Sequence, residues 1–184
     1  MKTRRLWLSV LGIVVAGQIA VPASMILRRE RTLREGHAYK FRTAPVDPYD
    51  AFRGRYVALR FEETSAPTSG SEAILEGPAY AWIEVGADGF ARFGGVASKP
   101  PSGKDYICIR GAYTQSNRYQ FSLPFDRFYM EEKAAPAAEQ AYREHSRQGG
   151  ARDAYVIVRV RDGQGVIENL YVAGQPIAEF VREH

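Results

Sequence analysis

From Leu6 to Leu27 the chain runs for 22 residues without a charged side chain, with Arg4 and Arg5 before the run and Arg28 and Arg29 after it. The hydrocarbon core of a bilayer takes about 20 apolar residues of helix, so this segment is long enough to cross one membrane. The rest of the chain is then expected to start at a membrane surface.

Two fates compete for the segment. A cleaved signal peptide would use Lys2, Arg4 and Arg5 as its basic start and Val21-Pro22-Ala23 as its cleavage point. Its apolar stretch would, however, span about 7–15 residues, and this run continues through Met25, Ile26 and Leu27. An uncleaved anchor over residues 6–27 is therefore expected, after a basic tail at 1–5. Pro22 is tolerable in a membrane helix. Residues 28–37 read as a polar helical extension ending at Gly36. Gly12, Ala16 and Ala20 recur every fourth residue, with the polar Gln18 among them. Such small stripes let membrane helices approach closely, although alanine-rich apolar segments also produce them by chance.

Orientation is argued from two opposed signs. Lys2, Arg4 and Arg5 precede the span, whereas Arg28, Arg29, Arg31, Arg34, Lys40 and Arg42 follow it. That count alone would keep the following domain in the cytoplasm. A short basic tail leading into a long apolar run has the shape of an export signal, and long domains translocate largely regardless of charge. The expected location is the bacterial inner (cytoplasmic) membrane, single-pass, with the C-terminal domain extracytoplasmic.

The net charge of +4 does not imply a nucleic-acid partner. Residues 1–35 carry 7 of the 25 Lys and Arg and 2 of the 21 Asp and Glu, leaving 18 basic and 19 acidic groups beyond them. The basicity thus sits at the membrane flanks, where anionic headgroups lie, and no stripe is left to track a phosphate backbone. All 11 Tyr and all 9 Phe fall after the anchor, enough apolar surface for one core in residues 38–184. A single cysteine, Cys108, rules out an intramolecular disulfide. His37, His145 and His184 are too scattered for the paired spacing of metal sites. No metal or cofactor is expected.

Beyond Ala38 the pattern is mostly strand-like. Tyr39 and Phe41 alternate with polar residues. Over Arg55 to Glu63, Val57, Leu59 and Phe61 share one face while Tyr56, Ala58, Arg60 and Glu62 share the other. Thr64 to Ser71 reads as a loop rich in Ser, Pro and Gly. Tyr80–Val85 and Phe90–Val96 form a hairpin around Ala87-Asp88-Gly89, and Lys99–Asp105 is a loop. Tyr106–Tyr113 and Tyr119–Leu123 make a second antiparallel pair. Pro136–Gln148 is the one soluble helix, with Pro136 in its first turn and Ala138, Ala141, Tyr142 and His145 on one face. Ala154–Val160 and Val166–Val172 pair across Asp162-Gly163. The two Asp-Gly hairpins echo each other, by shared hairpin chemistry or ancient duplication. The expected fold class is α+β: a β-rich, mostly antiparallel domain with one soluble helix, preceded by a single transmembrane helix.

Residues 45–63 carry the most specific pattern. Asp47 suits a helix N-cap, Pro48 the first helical position, and Gly54 a left-handed residue ending a short turn before the strand. Gly54, Tyr56 and Leu59 match the signature Gly-Asp-Tyr-x-x-Leu-x-Tyr, with Arg55 in place of its Asp and Phe61 in place of its last Tyr. Val46-Asp47-Pro48, Arg53-Gly54, Asp162-Gly163 and Leu170-Tyr171 through Gly174 extend the likeness. The chain therefore resembles the GDYXXLXY family over most of its length after the anchor. The resemblance implies a membrane-anchored protein without an established activity, in the company of multi-spanning membrane proteins. Any role needing the family's acidic group or second phenol is in doubt here.

The residues themselves offer an interaction surface: Arg53, Arg55 and Arg60, with Tyr56 between them, at one end of a sheet. Arg and Tyr are enriched where partners bind most tightly, although exposed arginines are more often a solvated face. Asp47, Pro48, Arg53, Gly54, Arg55, Tyr56, Leu59 and Phe61 are the motif and partner-surface candidates.

Catalytic patterns are weak. Ser24-Met25 and the Gly-x-Tyr strand start are faintly similar to signal peptidases, which use a lysine of depressed pKa to activate a serine. Lys99 and Lys104 are the available lysines, but both fall in a polar loop, and Ser24 lacks the Pro-Thr-Leu usual in that family. Cys108, inside a strand, reads as a buried structural thiol, and Trp82 as core. Glu62-Glu63 and Glu131-Glu132 are adjacent, so a strand would point them to opposite faces. The reading is a non-enzymatic envelope accessory domain, in contact with the lipid bilayer and a multi-spanning membrane protein. The rivals are a Ser/Lys hydrolase, or a small-ligand module lined by Tyr56, Tyr80 and Trp82.

Overall fold

The computed structural model describes residues 2–44, 56–67, 77–115, 117–147 and 151–183. It opens with α1 (Lys2–Glu35), one unbroken helix that carries both the expected span and its polar extension. At 1.5 Å per residue it is about 51 Å long, so it exceeds a hydrocarbon core of about 30 Å. It passes through Pro22 without a break. Among the described residues it is the one helix long and apolar enough to cross a membrane, and its most apolar window, within Val10–Glu35, has no buried residue.

Strands β1 (His37–Ala44), β2 (Tyr56–Ala58), β3 (Arg60–Phe61), β4 (Ser65–Pro67), β5 (Ala79–Val85) and β6 (Ala91–Ala97) follow. Next come β7 (Tyr106–Gln115), β8 (Arg118–Ser122), β9 (Arg127–Tyr129) and helix α2 (Ala135–Ser146). β10 (Tyr155–Arg161), β11 (Gln164–Val172), β12 (Gln175–Pro176) and α3 (Ile177–Glu183) complete the chain. One sheet has the order β12-β11-β10-β1-β3 and another β4-β8-β7-β5-β6, while β2 and β9 form a ribbon. Among the described residues every pairing between these strands is antiparallel. This is the α+β, β-rich architecture read from the sequence.

The second sheet curls until its edge strands β4 and β6 lie against each other. Its interior takes Ala79, Ala81 and Ile83 from β5 and Ala91 and Phe93 from β6, the mix of small and large side chains that fills a narrow barrel. By strand alternation Tyr80, Trp82 and Glu84 then face outward. Trp82 is therefore not core, as its size had suggested. Its ring lies flat over Gly94 and Gly95, and a Cβ at Gly95 would fall 2.1 Å from it.

The two sheets share one core. Phe41 of β1 is 1% exposed, and its ring lies 5.7 Å from Phe93, 6.1 Å from Phe61 and 6.3 Å from Phe125. Phe93 in turn meets Phe121 at 5.0 Å. The Asp162-Gly163 turn, with φ of 49° and 78° at its two residues, docks on β7, where the Cys108 N–H donates to the Gly163 carbonyl at 2.8 Å. Helix α2 buries Ala138, Ala141 and Tyr142, and the Tyr142 hydroxyl donates to the Ala44 carbonyl at 3.1 Å. His145, at the end of that face, is only part-buried and bonds Asp153 at 2.7 Å.

Four further features differ from the sequence reading. The segment expected as one strand over Arg55–Glu63 breaks at Leu59, with β2 pairing with β9 and β3 with β1. Ser65–Pro67, within the expected loop, is the edge strand β4. A second short soluble helix, α3, caps the first sheet through buried Ile177. Cys108 is exposed rather than buried, because Ile107 and Ile109 take the inward positions of β7.

The polar end of α1 is built into the domain. Thr32 is 2% exposed, and its hydroxyl lies 3.2 Å from Gln164 Oε1. Glu35 pairs with Arg161, and Arg159 donates to the Gly36 carbonyl at 3.2 Å. Helix and domain are thus joined without a free linker, at the β10–β11 hairpin.

Candidate functional site

The described part of the motif is β2, Leu59 and β3. Val57, Leu59 and Phe61 are 0%, 4% and 8% exposed, so two of the expected surface residues, Leu59 and Phe61, serve the core. Phe61 sets its ring edge-on to Phe125 at 5.5 Å. Asp47, Pro48, Arg53, Gly54 and Arg55 lie outside the described residues.

On the opposite face Arg60 is exposed and Tyr56 half-buried. The Tyr56 ring packs on Tyr129 of β9 at 5.7 Å, and the Arg127 guanidinium sits 5.0 Å from the same ring. A hydrogen bond to Tyr129, aided by Tyr56 and Asp126, raises the pKa of Arg127. Tyr129 is 63% exposed. The result is an aromatic patch with a fixed cation. Arg127 and Tyr129 were not legible as site residues, since a three-residue strand is too short to show a period.

The patch lies beside α1. Arg127, Phe128 and Tyr129 line a shallow groove of ≈390 Å³ with Arg29 of α1 and Val166 to Glu168 of β11. A larger groove of ≈1280 Å³ continues from it between α1 and the second sheet, the two sharing Arg29, Pro124 and Gly165.

The catalytic candidates do not meet. The Ser24 hydroxyl donates to the Val21 carbonyl of its own helix at 2.7 Å. Lys104 pairs with Glu84 at 3.0 Å and lies over the Trp82 ring at 5.1 Å. Among the described residues no lysine pairs with Ser24. Tyr56, Tyr80 and Trp82 do not share a pocket either: Tyr56 packs on Tyr129, Tyr80 on Tyr106 at 5.5 Å, and Trp82 under Lys104. Asp105 accepts from the Tyr39 hydroxyl at 2.7 Å and meets His37 Nδ1 at 2.5 Å, tying β1 to the loop before β7. Burial, then Asp105, pushes the Tyr39 phenol well up. No group of three or more His, Cys, Asp and Glu among the described residues is placed to hold a metal ion.

Cys108 is open to solvent on one flank and crowded on the other. A Cβ at Gly163 would sit 2.5 Å from its Sγ and 2.7 Å from the Tyr106 ring. Desolvation raises the thiol pKa, which makes it a poor nucleophile near neutrality. Alkylation of Cys108 is expected to rise with pH along a curve displaced above that of a free cysteine peptide. A curve displaced below it would show an activated thiolate.

A family model described as GDYXXLXY protein matches residues 18–170. The chain belongs to this family. No curated protein and no solved structure gives a match. The GDYXXLXY match starts inside the apolar part of α1 and ends in β11, so it takes in the second half of that apolar run and most of both sheets. Among the described residues of the GDYXXLXY signature, Leu59 and Phe61 anchor the chain in the core, and Tyr56 is half-buried against Tyr129. Replacing the last signature Tyr by Phe61 suits a ring buried among Phe41 and Phe125, where a hydroxyl would need a partner.

Proposed function

We propose that this GDYXXLXY protein is a non-enzymatic accessory domain of the bacterial envelope, which binds a multi-spanning membrane protein through α1 and the Tyr56–Arg127–Tyr129 patch. The observation that carries the reading is the position of that patch beside Arg29, where α1 leaves its apolar run. A partner in the same membrane can touch the helix and the patch at once. The stripe of Gly12, Ala16 and Ala20 offers close helix contact, and exposed Tyr beside Arg is the composition of interface hot spots. The short basic tail before the apolar run supports an inner-membrane anchor with the domain outside.

A photo-crosslinking amino acid placed at Tyr129 is expected to capture a membrane protein in cells. The same probe at Val85, an exposed residue of β5, serves as the control. Tyr129→Ala is expected to lower co-purified partner on the order of tenfold, in the range of hot-spot truncations. Absence of an adduct at Tyr129, or equal adducts at both positions, would overturn the reading.

A further inference from the structure

The larger groove has a composition that the accessory role does not require. Met25, Arg28, Arg29 and Thr32 of α1 line it, spaced at i, i+3, i+4 and i+7 on one helix face, with Arg31 flanking. Arg161 and Asp162 lie opposite on the hairpin turn. The charges do not cancel. Arg161 is held by Glu35 and Asp162. Arg28, Arg29 and Arg31 pair with no carboxylate among the described residues, whereas their neighbour Arg34 pairs with Glu30 at 2.7 Å. Three cations without a carboxylate partner among the described residues thus face a groove of ≈1280 Å³.

Depth identifies what they face. The 22 residues of the apolar run make about 33 Å of helix, which matches a hydrocarbon core of about 30 Å. Arg28 therefore enters the headgroup layer, and Arg28 to Thr32 pass through it. Below them Met25 stands at the level of the acyl chains. Leu123, Pro124 and Ile109 offer apolar wall on the domain side. Gly77 and Gly111, where an added Cβ would meet nothing within 4 Å, leave that wall open. The fixing of α1 by Gln164 and Arg161 keeps the two sides apart at a set distance.

We propose that this groove binds the headgroup of an anionic phospholipid, its phosphate on Arg28, Arg29 and Arg31 and its glycerol and upper acyl chains along Met25 and Leu123. The proposal needs α1 to span the bilayer but no protein partner, and it holds for either orientation.

Cys108 lines the same groove and is the single cysteine of the chain, which gives a direct readout. The full chain in neutral detergent micelles is alkylated with an uncharged maleimide while phosphatidylglycerol, phosphatidylcholine or inorganic phosphate is titrated in. Phosphatidylglycerol is expected to slow the reaction at least about fivefold, the effect of one arginine at a membrane surface, with the other two leaving it unchanged. The combined R28Q, R29Q and R31Q variant is expected to lose the protection at an unchanged melting temperature, and R34Q to keep it. Equal protection by phosphatidylcholine would make the groove a nonspecific lipid seam. Protection by inorganic phosphate alone would make it a free-anion site, and loss of protection in R34Q would reduce it to general surface charge. Each of these overturns the proposal. Because no partner is present in the micelle, the outcome is independent of the crosslinking result.

Discussion

Phe41→Ala is expected to cost about 3–5 kcal/mol of unfolding free energy, the range for deleting a buried phenylalanine side chain. Phe41 is 1% exposed and meets Phe61 and Phe125 of the first-sheet side and Phe93 of the second sheet. The cavity left by its removal lies between two sheets that each have their own hydrogen-bonded frame, so neither can easily collapse into it. A domain of this size holds about 5–15 kcal/mol in total, and the loss should leave it close to unfolding at growth temperature. Urea denaturation in mild detergent, followed by Trp82 fluorescence, measures it. A loss below about 1 kcal/mol would mean that the two sheets are not held together through this ring.

Gly36→Ala is the second large expected effect. An added methyl would sit 2.4 Å from the Thr32 carbonyl oxygen and 3.0 Å from that of Val160. Both are backbone atoms, so no side chain can swing away. Overpacking of this kind costs about 1–3 kcal/mol. The damage is local in its consequences, since the position also carries the Arg159 bond to the Gly36 carbonyl and adjoins the Glu35–Arg161 pair. Limited proteolysis should show new cleavage between Glu35 and His37, together with a lower melting temperature. Gly12→Ala, where nothing lies within 4 Å, should leave both unchanged. Equal behaviour of the two variants would mean that α1 is not clamped to the domain.

Much of this architecture was legible because long amphipathic strands advertise themselves. β10 alternates over all seven of its residues and β5 over most of its length, each is followed by an Asp-Gly turn and a partner strand, and α2 shows Ala138, Ala141 and Tyr142 at helical spacing. What could not be read had too little chain to carry a period. β9 has three residues and β12 two, and their pairing is imposed by the strands beside them. The break at Leu59 was hidden because β2 and β3 keep the same inward face while changing partners. Trp82 and Cys108 were misplaced for a different reason. Residue type argued for burial, but the alternation set by Ala81 and Ile83, and by Ile107 and Ile109, had already assigned them to the outer face. The candidate patch was half visible. Tyr56 lay in the motif, while Arg127 and Tyr129 reached it only through β2–β9 pairing. The groove between α1 and the second sheet joins residues from distant parts of the chain.

Carbonate extraction of cells expressing this sequence with a C-terminal epitope tests directly whether α1 is a retained membrane anchor fused to its domain. The tagged chain is expected in the membrane pellet, with a mass that retains Leu6–Leu27. A tagged chain in the supernatant whose first residue lies near Ser24 would contradict it.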